Sequence, residues 1–185
     1  WVGNDGEYYI TNDNILNTRI DGSNDTNGED FQSTVLIDSP DGECICSTIF
    51  GFTITGGGGT KVVIGQDPET GEDVHGFRGG GLRSSNAIPI INYNFITDND
   101  DGDEDIEAGG GSGVDFGERF GNTTGRRGCD GDIDFSHNFY RDNDALYGNT
   151  LSTNGYAGNL DMSNSIFDVY ANNEEDVSDY WLDIE

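Results

Sequence analysis

Positive charge is what this sequence has least of. Eight Lys and Arg stand against 36 Asp and Glu, a formal net charge of −28. A surface that acidic repels nucleic acid and anionic lipid headgroups, so no nucleic-acid partner and no membrane insertion is expected. Apolar runs are also short, and none approaches the roughly 18 residues that a membrane-spanning helix needs. Hydrophobic residues make up only 32% of the chain, a share that leans toward disorder. Against that stand 10 Phe, 8 Tyr and 2 Trp, large side chains of a kind disordered chains lack. The balance predicts a folded protein with a thin core, and 185 residues leave room for one domain, residues 1–185.

Turn residues are what the sequence has in excess. Gly (29), Asp (25) and Asn (19) together supply 73 of the 185 positions. These residues tolerate left-handed backbone and bond their own main chain, so the composition demands a corner every few residues and excludes a helical bundle. The chain opens on Trp1 rather than methionine, which reads as a mature or excised piece of a soluble protein.

Cysteines are few: Cys44, Cys46 and Cys129. On an extended strand Cys44 and Cys46 point the same way, and one of them can meet Cys129 if their strands stack. One disulfide with one free thiol and three reduced thiols are both open. No CxxC pair accompanies them, so no structural zinc site is expected.

Internal repetition carries the fold. Four segments share one pattern: S-T-I-F-G-F-T-I-T-G-G from 47, P-I-I-N-Y-N-F-I-T-D-N from 89, D-I-D-F-S-H-N-F-Y-R-D-N from 132, and L-D-M-S-N-S-I-F from 160. Each pairs two large apolar residues five apart: Ile49/Ile54, Ile91/Ile96, Phe135/Tyr140 and Met162/Phe167. Odd spacing puts such a pair on opposite faces of a straight strand, so a bend is required if both are to face one core. Gly51, Asn94, Asn138 and Asn164 or Ser165 lie between the pairs as the bend residues. Glycine triplets, Gly79–Gly81 and Gly109–Gly111, stand upstream of the second and third pairs. Strand, corner, strand, bend, strand describes one coil of a parallel β-solenoid, right-handed by the crossover rule.

The run T-V-L-I-D-S-P-D-G-E from 34, followed by the first two repeats, resembles the right-handed parallel β-helix repeats of secreted and surface-anchored bacterial proteins, over roughly residues 15 to 170. The resemblance implies an all-β fold, a right-handed parallel β-helix with long loop insertions at one corner. It says little about function, since such proteins include polysaccharide lyases, hydrolases and adhesins. Residues 1–46 then hold N-terminal coils, 47–170 the regular coils with insertions at 58–78, 100–108 and 117–131, and 171–185 a C-terminal cap. The insertions Gly58 to Arg78 and Asp100 to Ala108 leave the same corner of adjacent coils, so they lie side by side on one face.

The densest chemistry is Asp98 to Glu107, seven carboxylates in ten residues. Calcium takes six to eight oxygens, which makes Asp98, Asp100, Asp101, Asp103, Asp105 and Glu107 the candidate metal ligands, with Asp67, Glu69, Glu72, Asp73 and His75 on the neighbouring coil. The competing reading is a solvated acidic loop that only confers solubility. A second patch, Asp130, Asp132, Asp134 and Asp142, reads as outward-facing strand residues. His137 occupies the bend slot that Tyr93 holds one repeat earlier, a structural role.

No active site is expected. Lyases of this fold use a basic residue, and only Arg78 and Arg83 lie near the acidic corner, where salt bridges are the better reading. Asp100-Asp101 and His75-Gly76 echo hydrolase elements, but in the wrong order. The sequence is therefore read as an extracellular or cell-surface structural or adhesive solenoid with calcium as its cation. Trp1 and Tyr180-Trp181 at its ends suit head-to-tail self-association into a filament, and a polysaccharide or cell-surface ligand is a further partner. The alternative is a carbohydrate-binding or carbohydrate-processing domain of a larger secreted enzyme, a reading favoured by ranked aromatics and acids along one face.

Overall fold

The computed structural model describes residues 12–23, 32–40, 43–100, 110–116, 132–145, 148, 150–153, 159–167 and 182–183. One short helix, α1 (Asn12–Asn17), opens the described chain, and every later regular element is a β-strand. The fold is all-β. In chain order the strands are β1 (Arg19–Asp21), β2 (Val35–Asp38), β3 (Thr48–Phe50), β4 (Thr53–Thr55), β5 (Thr60–Gln66), β6 (Asp73–Arg78), β7 (Leu82–Ser85) and β8 (Ile90–Asn92). After them come β9 (Phe95–Thr97), β10 (Val114–Phe116), β11 (Ile133–Asp134), β12 (Phe139–Arg141), β13 (Leu151–Ser152), β14 (Leu160–Asp161), β15 (Ile166–Phe167) and β16 (Leu182–Asp183).

Fourteen of these strands form three parallel sheets, ordered β1-β4-β9-β12-β15, β2-β7-β10-β13-β16 and β3-β8-β11-β14. From β2 onward the chain visits the three sheets in rotation, one strand in each per pass. Only β5 and β6 stand apart, as an antiparallel hairpin. This hairpin occupies the stretch 58–78 that was expected to leave the corner as an insertion, between β4 and β7.

Register stacks like on like. Ile20, Ile54, Ile96, Tyr140 and Phe167 are consecutive partners in the first sheet. Val35, Leu82, Val114 and Leu151 do the same in the second, and Ile49 pairs with Ile91 in the third. Ile54, Ile91, Ile96, Phe135 and Tyr140 are fully buried in one cluster, with Ile49, Met162 and Phe167 packed against it. The five-residue apolar pairing therefore does line one core, with 42, 44 and 27 residues between successive partners from Ile54 to Phe167.

The bend falls on the expected residue in the first and fourth repeats, Gly51 and Asn164, and one residue earlier than expected in the second and third, on Tyr93 and His137 rather than Asn94 and Asn138. Gly51, Tyr93, His137 and Asn164 hold positive φ, 80°, 58°, 59° and 57°, two residues after Ile49, Ile91, Phe135 and Met162 respectively. Asn94 and Asn138 follow the bend and brace it. The Asn138 amide donates to the Ile91 and Phe135 carbonyls (2.6 and 2.9 Å), while its oxygen accepts from the Asn94 backbone N–H at 2.9 Å. A second brace repeats the arrangement at the next corner: the Asn99 amide donates to the Ile54 carbonyl and to the Asn143 oxygen, and Gly57 N–H donates to the Asn99 oxygen. Buried main-chain groups at a corner have no ladder partner, and a side chain with both a donor and an acceptor is what can satisfy them.

The glycine triplets are also out of step with expectation. Because Leu82 pairs with Val114, the counterpart of Gly79–Gly81 is Gly111–Gly113, two residues later than Gly109–Gly111; Gly109 lies outside the described residues. Gly80 is required by close approach rather than by conformation: a Cβ there would collide with the Asp100 carbonyl oxygen and come within 2.7 Å of that of Ser112. Residues 101–108, the insertion 117–131 and, apart from β16, the expected cap 171–185 lie outside the described residues.

Candidate functional site

On β7 and β10, side chains alternate between the core and the opposite face. Leu82 and Val114 point inward, so their neighbours Arg83 and Asp115, directly paired across the two strands, share the outer face. They are nevertheless buried, with 5% and 1% side-chain exposure, and form an ion pair through Arg83 Nη1 and Asp115 Oδ2. Ser152, next in the row on β13, donates its hydroxyl to Asp115 Oδ1 at 2.6 Å. A guanidinium held this way is fixed in place, and the salt-bridge reading of Arg83 is the one the geometry carries.

Beside this pair the β5 strand leaves a cleft of about 340 Å³ against the outer face of β2 and β7. Leu36, Val62 and Val63 line it together with Thr60, Ser85, Arg83, Lys61 and Asp38. Lys61 is the only lysine in the chain. Ser85 is buried, and among the described residues its hydroxyl has no hydrogen-bond partner. Sequence reasoning missed this cleft. The signal was present in the run Lys61-Val62-Val63-Ile64, whose apolar residues are out of place in a stretch taken to be a polar insertion.

A second surface feature runs along the bend between the third and first sheets. Tyr93 stacks on His137 with centroids 4.7 Å apart and planes 16° from parallel, and Phe50 meets Tyr93 edge-on at 5.1 Å. Phe95 and Phe139 form a parallel row at 4.9 Å. Phe50, Ile90, Tyr93 and Ile166 are all exposed. His137 thus sits under Tyr93 in the structural role expected of it, with Nδ1 3.0 Å from the Ser136 hydroxyl.

Of the candidate metal ligands, Asp98 and Asp100 are described and both are exposed; Asp101, Asp103, Asp105 and Glu107 lie outside the described residues. Asp98 holds a left-handed φ of 53° and accepts from the Thr97 hydroxyl at 3.0 Å. Asp142 takes the same corner position on the next pass (φ 52°), and the backbones of Asp100 and Asp144 pair in a parallel β-bridge, so the described acids gather along one corner. Among the described residues no group of three or more His, Cys, Asp or Glu is arranged to hold a metal ion.

The hairpin acids have local uses. Asp67 accepts from the backbone N–H groups of Glu69 and Thr70 at 2.7 and 2.8 Å, and those bonds hold its carboxyl below the usual range. Asp73 accepts from Gln66 at 3.0 Å, whereas Glu69, Glu72 and His75 are exposed.

In the second acidic patch, Asp134 stands on β11 and accepts from Asn92 and Ser136, which lower its carboxyl. Asp132 accepts from Asn159 and Asp142 pairs with Arg141. Asp130 lies outside the described residues, as do Arg126 and Arg127. Cys44 is disulfide-bonded and Cys46 is an exposed free thiol, which selects the first of the two cysteine arrangements. No family model, no curated protein and no solved structure matches this chain.

Proposed function

We propose that the three parallel sheets are the walls of a right-handed parallel β-helix, and that the chain is an extracellular structural or adhesive element that self-associates end to end into a filament. The observation that carries this reading is the stacking of identical roles pass upon pass, in apolar ladders, in the Asn94–Asn138 and Asn99–Asn143 braces and in the left-handed corners. Such a repeat buries its hydrophobic face only against its neighbours, so its terminal strands present unpaired edges that another copy can extend. The disulfide at Cys44 supports an oxidising, extracellular setting. Calcium enters as the counter-ion that relieves a charge of −28 per copy. Trp1 and Tyr180-Trp181, the proposed contact, lie outside the described residues.

Electron microscopy and light scattering of the purified protein, with and without millimolar calcium, test this. Filaments that lengthen with calcium and shorten in Trp181→Ala are the expected result. A protein that stays monomeric at high concentration in calcium and salt overturns the assembly.

The carbohydrate-binding alternative draws support from the aromatic rows Phe50–Tyr93–His137 and Phe95–Phe139 beside the acids of β11 and β14. Because Tyr93 and His137 stack face to face, each spends one face on the other, which weakens them as a sugar platform. Glycan-array binding that falls with Tyr93→Ala is the result that favours this alternative.

A further inference from the structure

We propose that the cleft beneath the β5–β6 hairpin binds a small zwitterion, an aliphatic α-amino acid. Three observations converge on it. The cleft holds about 340 Å³, within the range of small-molecule sites and ample for one amino acid. Its lining contains a buried hydroxyl, Ser85 Oγ, with no partner among the described residues. A buried polar group left unpaired is costly, and a ligand that supplies its hydrogen bond removes that cost. Third, Arg83 is almost wholly buried yet uses one bond, to Asp115; the rest of its five N–H donors have no partner among the described residues.

The charges select the ligand class. Lys61 and Arg83 supply two positive charges, and Asp115 and Asp38 two negative ones, so the neighbourhood sums to zero. Unused guanidinium donors together with the ammonium of Lys61 call for a carboxylate. Asp38, beside Ser85 in the β2–β7 register, has two oxygens with acceptor positions for more than one partner, and suits an ammonium group. Leu36, Val62 and Val63 form the apolar wall for an aliphatic side chain. A simple carboxylate has to enter against the field of a chain carrying −28, whereas a zwitterion brings no net charge. A neutral sugar leaves the Lys61 ammonium without its anion.

Asp115 is a positioning residue in this scheme. It holds the guanidinium from behind and is itself held by Ser152 at 2.6 Å.

Isothermal titration of the full chain tests the proposal, with L-leucine, isovalerate (no ammonium), isoamylamine (no carboxylate) and a neutral hexose as probes. L-Leucine is expected to give saturable one-to-one heat, with isovalerate and isoamylamine each at least about 10-fold weaker, since each loses one charge-assisted contact. Lys61→Ala and Asp38→Asn, both exposed positions whose change leaves the fold intact, are each expected to weaken leucine about 10-fold or more. Val63→Trp, which fills the cleft, abolishes binding while the melting temperature holds. No saturable heat from leucine up to about 10 mM, the weak limit for a ligand of its size, overturns the proposal. Hexose binding without leucine binding overturns it as well. So does leucine affinity that is unmoved by both Lys61→Ala and Asp38→Asn.

Discussion

Arg83 and Asp115 are direct partners on adjacent parallel strands, and their ion pair is almost wholly buried although it lies on the face opposite the apolar core. Burying such a pair costs both ions their hydration, so its value shows only when one member is removed. Arg83→Met is expected to destabilise by about 3–5 kcal/mol, because it leaves Asp115 buried and uncompensated. Arg83→Met combined with Asp115→Leu should recover most of that loss, with the remainder reflecting the Ser152 hydroxyl, which loses its acceptor. Urea midpoints of the two single variants and the double variant decide this. A double variant as unstable as the singles refutes the account.

Ile90 and Ile91 are neighbours with opposite fates, one 44% exposed and the other fully buried. Ile91→Ala should cost on the order of 2–5 kcal/mol, the lost transfer energy plus the cavity left between stacked passes. Ile90→Ala should stay within about 0.5 kcal/mol. Equal costs from the two substitutions are incompatible with the register.

Asn138 satisfies two carbonyls and one N–H that have no ladder partner. Asn138→Ala strands the Ile91 carbonyl and the Asn94 N–H and leaves the Phe135 carbonyl only a 3.4 Å bond from the Ser165 hydroxyl, at about 1–3 kcal/mol for each group left buried and unpaired, less whatever water recovers. Amide hydrogen exchange reads the effect locally. The Asn94 N–H should lose protection while the Ile54 N–H, one corner away, keeps it.

Tyr140 is fully buried and stacked on Phe167, with rings 5.0 Å apart and 5° from parallel. Among the described residues its hydroxyl makes no well-formed hydrogen bond; the Asn138 side chain lies close enough to lower the phenol slightly, but its amide donates to the Ile91 and Phe135 carbonyls. Tyr140→Phe should therefore be neutral or stabilising by about 1 kcal/mol. Burial also pushes this phenol well above its ordinary value near 10. A raised acid pKa in the folded state binds its proton more tightly than the unfolded chain does. Its contribution is thus complete below about pH 10 and drains away as pH rises above it. Tyr140→Phe should flatten the alkaline arm of the stability curve, and a thermal-melt series from pH 8 to about 11 checks it.

Much of this architecture was legible before any coordinate. The apolar pairs five apart required a strand, a bend and a strand, and the placement of His137 under Tyr93 followed from aligning repeats. In the second and third repeats the bend was read one residue late because Asn94 and Asn138 are the better turn formers. All four repeats bend two residues after the first apolar residue of the pair, at Gly51, Tyr93, His137 and Asn164, and Tyr93 and His137 stack on each other there. The second glycine triplet is out of step because Ser112 takes the slot of Gly80, which hides the match between Gly79–Gly81 and 111–113. The cleft was illegible for a different reason. The cleft is lined by β5 residues Thr60 to Val63 together with Leu36, Asp38, Arg83 and Ser85, and periodicity within β7 carries no trace of what lies against its outer face.

The hairpin makes the scaffold a carrier. Between Thr55 and Leu82 the chain departs, travels out along β5 and back along β6, and returns without shifting the pairing of Thr53 with Phe95 or Leu82 with Val35. Its tip, from Asp67 to Glu72, is exposed except at Asp67, and a side chain added at Gly71 would meet nothing within 4 Å, although φ there is +71°. A foreign peptide spliced at 68–71 would forfeit only the local cap made by Asp67, leaving both ladders below it intact. The protein can thus exchange what it displays at that tip without renegotiating how it folds.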